Sequence, residues 1–148
     1  MAAHLEKECL PYVFENPPMT LNEVVQIKNQ VIEDLFPRLK NVSIRMNTKL
    51  KLADYFMDTW ITPHTVLRHA LKRRYWIRIN RRLLKSPPSA DALYAILAHE
   101  LSHIADYKKR NSVQLIRFLK NIAKNDPAPY ERHTDEVALK KGVARGLL

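Results

Sequence analysis

The chain has 148 residues, with 25 lysines and arginines against 15 aspartates and glutamates, and therefore a formal net charge of +10. This length predicts a single domain over 1–148, and a hydrophobic fraction of 46% excludes a disordered basic tail. Two glycines are too few for the glycine-rich loops that bind nucleotides. No apolar run approaches the roughly 20 residues of a membrane span, and the N-terminus lacks the pattern of a signal peptide. Together with a single cysteine, these features indicate a cytoplasmic protein.

The N-terminal part of the chain predicts an irregular arm followed by a helix. Residues 1–19 contain three prolines and form the predicted arm. Thr20 and Glu23 have the spacing of a capping box. Apolar residues at helical spacing follow, and Pro37 ends the pattern.

The next segment predicts a short strand and a second helix. Apolar and polar residues alternate over 42–46, as in a half-buried strand, whereas 49–60 shows no clear pattern. Thr62 and Pro63 are typical of the first residues of a helix. The buried stripe of this helix is expected to contain Val66, Leu67, Ala70 and Leu71.

The second half of the chain predicts one strong strand and three helices. Aromatic and β-branched residues fill 75–80, with Tyr75, Ile77 and Ile79 on one face. The first helix is introduced by the segment 86–89 and runs to about Lys109, the second covers 113–123, and the third runs from about Pro129 to Gly142 or Gly146. The predicted fold class is therefore α+β, mostly helical, with a small sheet of about three strands.

The segment from His99 to His103 is an H-E-x-x-H motif within a predicted helix. The two histidines lie about 40° apart around the helix axis, so both imidazoles project from one face, as two ligands of one Zn²⁺ must. Glu100 lies at the edge of that face among apolar residues, where an ionised carboxylate is costly unless a cation compensates it. A solvated surface helix is the competing interpretation.

A catalytic zinc needs a third protein ligand. The glycine and histidine that metzincins place shortly after the motif are absent here. Asp106 lies on the same helix and suits orienting a ligand better than binding the metal. On the last predicted helix, Glu131 and Asp135 share one face, which suits a ligand and an orienting residue, and His133 lies on another. These residues leave three possibilities, with Glu131, His133 or neither as the third ligand.

A helix with H-E-x-x-H followed by a helix with E-x-x-x-D over 131–135 resembles the gluzincin metallopeptidases. The similarity covers about 75–148 and is closest to the minigluzincins, small relatives of the catalytic domains of integral-membrane metallopeptidases. The resemblance implies a zincin-like fold, with Glu131 as the third zinc ligand and Asp135 supporting a zinc-binding histidine. It also implies that the strand over 75–80 forms the rim of the cleft and pairs with extended substrate.

This resemblance predicts a zinc-dependent endopeptidase. His99, His103 and Glu131 would hold Zn²⁺, which activates a water, and Glu100 would act as general base. The group that stabilises the oxyanion is expected among His133, Tyr130, Tyr107 and Arg145.

Small relatives in this family occur as zymogens, so a latent form in which the N-terminal arm blocks the cleft is a further hypothesis; the simpler interpretation is that the lone cysteine is a small buried residue. Potential metal-capping groups in the arm are His4, Glu6, Glu8 and Cys9.

Two other functions compete with this hypothesis. Eight basic residues and no acidic ones fall within 68–85, interleaved with Tyr75 and Trp76, which is typical of a surface that binds nucleic acid. The DNA-associated SprT-like metallopeptidases also carry H-E-x-x-H, but with a third histidine in a glycine-containing pattern that is absent here. A non-catalytic metal-binding module is the other possibility. Because the basic run flanks the predicted rim strand, a preference for acidic substrates is expected first and nucleic-acid binding second.

Overall fold

The structure, a computed structural model, describes residues 16–49, 56–68 and 72–142. Within these ranges the chain forms helices and one small sheet, which confirms the predicted α+β class. The helices are α1 (Leu21–Leu35), α2 (Pro63–Val66), α3 (Arg81–Lys85), α4 (Ala90–Lys109), α5 (Ser112–Lys124) and α6 (Ala128–Lys140), and a 3-10 turn covers Pro37–Leu39. The strands are β1 (Ser43–Lys49), β2 (Met57–Ile61) and β3 (Arg74–Asn80).

The sheet has the strand order β1-β3-β2, with β3 parallel to β1 and antiparallel to β2. The strand predicted over 75–80 is therefore β3, and it lies in the centre of the sheet. Its expected role as the rim of a cleft is wrong, because neighbouring strands already occupy both of its hydrogen-bonding edges. The edge strand that contacts α4 is β2, which lies in the segment where the sequence showed no clear pattern.

The inner face of the sheet forms the hydrophobic core together with α1 and α4. Tyr75, Ile77 and Ile79 of β3 are fully buried on this face, as their alternation predicts. Helix α1 packs against β1 and against α4, while α4 also contacts β2 and α6. The middle of α4 is thereby enclosed on several sides, so its positions near the H-E-x-x-H motif hold apolar side chains.

Local signals place most helix ends correctly. The predicted capping box is present, since the Glu23 amide donates to Thr20 Oγ1 over 3.2 Å and the Glu23 carboxylate accepts from the Thr20 amide over 2.6 Å. Ser89 caps α4 by accepting a hydrogen bond of 3.2 Å from the Ala92 amide. Helix α6 ends just before Gly142, whose φ of +98° favours glycine.

The structure corrects the predicted second helix, adds one helix, and leaves some predictions outside the described residues. The second helix is only four residues long, and Leu67, expected in its buried stripe, is 71% exposed, whereas Val66 is buried. Helix α3 follows β3 directly and was not predicted. Ala70, Leu71, Gly146 and residues 1–15 of the N-terminal arm lie outside the described residues.

No helix in the described part of the chain has both the length and the apolar character needed to cross a membrane.

Candidate metal centre

Helix α4 presents the H-E-x-x-H motif from a rigid position. Leu97, Leu101 and Ile104 alternate with the motif residues and are fully buried in the core. The packing of these residues directs His99 and His103 to one side, toward α6, which α4 contacts. The motif residues are therefore held by the fold of the whole domain and do not lie on a solvated surface helix.

Helix α6 brings Glu131 to the two histidines. The Nε2 atoms of His99 and His103 are 3.1 Å apart, and Glu131 Oε2 lies 3.0 Å from the first and 3.5 Å from the second. In the described residues, these three are the group of His, Cys, Asp and Glu side chains that could hold a metal ion. Two ligand atoms of a tetrahedral zinc lie about 3.3–3.6 Å apart, given bonds of roughly 2.0–2.2 Å. The observed separations match a zinc site after movements of a few tenths of an ångström.

The remaining ring nitrogen of each histidine has its own partner. His99 Nδ1 lies 2.7 Å from Asp135 Oδ1, and His103 Nδ1 lies 3.1 Å from the Tyr130 hydroxyl oxygen. When each Nδ1 carries the hydrogen, both Nε2 atoms direct their lone pairs toward the space next to Glu131 Oε2, as metal ligands require. Asp135 thus lies where the gluzincin resemblance places the supporting carboxylate.

Tyr130 belongs to a chain of contacts behind His103. Its hydroxyl donates to Asp106 Oδ2 over 3.2 Å, and Asp106 in turn pairs with Arg110, also at 3.2 Å. The Arg110 guanidinium lies 3.8 Å from the centroid of the Phe118 ring, whose edge contacts the Tyr130 ring. Since His103 and Asp106 both use the Tyr130 hydroxyl, the geometry favours a positioning role for Tyr130 over the predicted oxyanion role. Asp106 therefore acts on His103 only through the Tyr130 hydroxyl.

The other residues predicted to stabilise an oxyanion lie in different places. His133 is exposed and lines a cavity of about 620 Å³ that also contacts Leu35 and Phe36 at the end of α1, and it does not join the ligand cluster. Tyr107 is buried, with its ring centroid 6.2 Å from that of His103. Arg145 lies outside the described residues.

Glu100 is 6% exposed and contacts the edge strand. The Thr59 hydroxyl of β2 lies 2.7 Å from Glu100 Oε2 and 3.1 Å from the Glu100 backbone oxygen. Burial raises the pKa of Glu100, while the nearby His103 and the hydrogen bond from Thr59 oppose that rise. Thr59 is not among the residues that the sequence predicted for the site. The available signal was the alternation of Met57, Thr59 and Ile61 with polar or exposed residues.

The ligand set is also an electrostatic cluster. Burial alone lowers the pKa of His99, but the hydrogen bond to Glu131 and the charges of Glu100 and Asp135 outweigh it and raise that pKa to about 9. Hydrogen bonds to His103 and His99 lower the pKa of Glu131 to about 2. The cluster therefore keeps a proton on His99 at neutral pH, next to the carboxylates of Glu131 and Asp135.

The site is open on one side. The side chains of His99 and His103 are 17% and 8% exposed, whereas Glu131 is 46% exposed. A molecule from solution can therefore approach the cluster past α6, while the core encloses the other side.

Neither the sequence nor the fold of this chain matches a known protein family, a curated protein or a solved structure. The functional interpretation therefore depends on the geometry and chemistry of the site itself.

Proposed function

We propose that this protein is a zinc-dependent peptidase of the gluzincin type. The observation that carries the proposal is the convergence of His99 Nε2, His103 Nε2 and Glu131 Oε2, with buried Glu100 next to His99 on the same helix. Two histidines and one glutamate are the protein ligands of a catalytic zinc, which keeps one coordination position for water or substrate. A structural zinc would use four protein ligands.

Zn²⁺ bound by His99, His103 and Glu131 would act as a Lewis acid and would lower the pKa of a bound water to about 7. Asp135 and Tyr130 hold the two imidazoles in the orientation that this binding needs. The third ligand comes from a separate helix, α6, whereas SprT-like proteins use a histidine soon after the motif. This difference supports the gluzincin type over the SprT-like alternative.

Glu100 is suited to move the proton. Thr59 donates to Oε2, and no hydrogen bond reaches Oε1 from residues 16–49, 56–68 or 72–142. Burial raises the pKa of the carboxyl group, which suits a group that first accepts and then donates a proton. Glu100 Oε1 accepts the proton of the attacking water and returns it to the nitrogen of the leaving amine.

The edge of β2 is the proposed binding place for an extended peptide. β2 pairs with β3 along one edge, and no described residue forms a strand along the other. Thr59 connects this strand directly to Glu100, so a peptide that adds to the free edge by β-augmentation lies beside the proton-transferring group. The expected preference for acidic substrates loses its basis, because it depended on β3 being the rim.

The test combines metal analysis with digestion of a mixed peptide library. The purified chain is expected to contain one zinc per molecule and to cleave peptides until a chelator removes the metal. Glu100→Gln keeps the shape of the side chain, so it should retain zinc and lose cleavage. Retained turnover in Glu100→Gln would overturn the mechanism.

The ligand assignment has its own matched pair of variants. Glu131→Ala should lose zinc at micromolar free metal, whereas His133→Ala, two residues along the same helix, should keep it. The opposite result would move the third ligand to His133. Stoichiometric zinc without peptide cleavage would favour the non-catalytic metal-binding module. Latency through the N-terminal arm stays a prediction, because residues 1–15 lie outside the described residues.

A further inference from the structure

The outer face of the sheet, opposite the metal centre, carries the most unusual surface among the described residues. Side chains alternate along a strand, so positions whose neighbours are buried in the core point outward. We call these positions the outer sheet face, and they are Ser43, Arg45, Asn47 and Lys49 of β1, Arg74, Trp76, Arg78 and Asn80 of β3, and Asp58 and Trp60 of β2. Four of them are cations and one is a carboxylate.

Two tryptophans lie side by side in the middle of this face. Trp60 of β2 is directly opposite Trp76 of β3, and Arg45 of β1 is the next residue in the same row across the sheet. Trp60 is 41% exposed and Trp76 is partly exposed, so apolar ring surface faces solvent. Burying such surface is favourable, and an exposed pair of large aromatic rings therefore suits contact with a partner.

An arginine accompanies each ring. The Arg45 guanidinium lies 5.8 Å from the Trp76 ring centroid, and that of Arg78 lies 5.5 Å from the Trp60 ring centroid. Arg78 also forms an ion pair with Asp58, which neutralises the only carboxylate of the face. The net charge of the face is thus positive, and two of its cations, Arg45 and Arg78, lie within 6 Å of a tryptophan ring centroid.

We infer that the outer sheet face binds single-stranded nucleic acid. Aromatic rings on an open sheet stack with unpaired bases, and neighbouring cations contact the phosphates. A duplex keeps its bases stacked on one another, so it would use the cations but not the rings. An acidic peptide would also use the cations and gain nothing specific from two indole rings. This inference goes beyond the peptidase proposal, and neither requires the other.

The structure changes which residues carry this interaction. In the basic run over 68–85, Arg73 is 2% exposed and donates to the backbone oxygens of Tyr107 and Arg110, so it anchors α4 and does not face a partner. Tyr75 is fully buried in the core. The second exposed ring comes instead from Trp60, which is distant in sequence and reaches the face only because β2 pairs with β3.

The test measures binding of a fluorescein-labelled oligothymidylate of about 12 nucleotides to the full chain by fluorescence anisotropy. The protein is first treated with a chelator to remove any metal, so the result is independent of the metal centre. We expect binding that weakens with salt, with a slope of log K against log salt of about −2 to −3 for three or four phosphate contacts. Tryptophan fluorescence should fall on binding.

Variants at one position separate stacking from charge. Trp60→Ala should weaken binding at least about fivefold, Trp60→Leu should weaken it nearly as much, and Trp60→Phe should restore part of the loss. Arg45→Glu should weaken binding and make the salt slope less steep by roughly 1 or more. Arg117→Glu changes the charge by the same amount on the exposed side of α5 and should leave binding within about twofold of the unchanged chain. Circular dichroism and thermal melting verify that each variant is folded.

Several outcomes would overturn the inference. The first is that the chain does not bind the oligonucleotide at low salt. The second is that it binds a duplex of the same length equally well. The third is that it binds a polyglutamate peptide equally well and that Trp60→Ala does not change the affinity. If Arg45→Glu and Arg117→Glu weakened binding equally, the attraction would come from the total charge of +10 and not from a defined surface.

Discussion

Removal of the Tyr130 hydroxyl is expected to weaken zinc binding without unfolding the protein. Tyr130→Phe keeps the ring and its edge contact with Phe118, but leaves His103 Nδ1 without its 3.1 Å partner. Asp106 retains Arg110, so no buried carboxylate loses its charge partner. The main structural cost is one unsatisfied N–H on a side chain that is 8% exposed, which amounts to about 1–3 kcal/mol.

Only part of that cost affects metal binding, because the N–H lacks its partner in both the metal-free and the metal-bound form of the variant. Loss of a residue that orients a metal ligand typically lowers metal affinity by roughly 10- to 100-fold. We expect about tenfold for Tyr130→Phe, which corresponds to about 1.4 kcal/mol, since Phe118 and α6 still hold the aromatic ring in place.

The assay is competition for zinc between the protein and a chromophoric chelator. Tyr94→Phe is the matched control, because the Tyr94 hydroxyl likewise bonds to a carboxylate, that of Asp34 on α1 over 2.8 Å, but does not contact the histidine cluster. That variant should keep the original zinc affinity. Nitrogen-15 NMR of the histidine rings gives a second measurement, in which Tyr130→Phe should reduce the fraction of His103 that carries its hydrogen on Nδ1. A folded Tyr130→Phe protein with unchanged zinc affinity and an unchanged His103 tautomer would refute the positioning role.

Three further predictions concern protons at the site. Zinc binding at pH 7 should release about one proton from His99, whose pKa is raised to about 9, and isothermal titration calorimetry in buffers of different ionisation enthalpy measures this number. The metal-free protein should be most stable between about pH 4.5 and 6.5, as thermal melting would show. The raised pKa of His99 gives stabilisation that is lost as the pH rises toward 9, and the lowered pKa of Glu131 gives stabilisation that is lost as the pH falls toward 2. Thr59→Val should lower kcat about fivefold and move the acid limb of the pH profile upward, because the hydrogen bond from Thr59 lowers the pKa of Glu100.

Each of these three predictions has a contradicting result. Zinc binding with no proton release at pH 7 would show that His99 is already neutral. A melting temperature that stays constant from pH 6.5 to 9 in the metal-free chain, and does not differ from that of His99→Gln, would exclude the ion-paired cluster. An unchanged pH profile in the Thr59→Val variant would show that the hydrogen bond from the edge strand does not affect the pKa of Glu100.

The sequence by itself determined the features that depend on neighbouring residues along the chain. The capping box of α1 and the arrangement of His99, Glu100 and His103 follow from helix geometry, which relates residues three or four positions apart. The alternation over 75–80 likewise predicted which side chains of β3 enter the core.

Only the tertiary structure decided which strand lies at the edge and which residue joins His99 and His103 in one cluster. The alternating pattern of β3 fits a central strand and an edge strand equally well, and β2 is a short strand in a segment without a clear pattern. Glu131 and His133 are two residues apart on one helix, so the choice between them depends on how α6 packs against α4. Tertiary packing likewise brings Thr59 to Glu100 and Tyr130 to His103. Strand pairing brings the two tryptophans of the outer sheet face together. Their partners lie far away in the chain, and contacts of that kind arise from the packing of the whole domain.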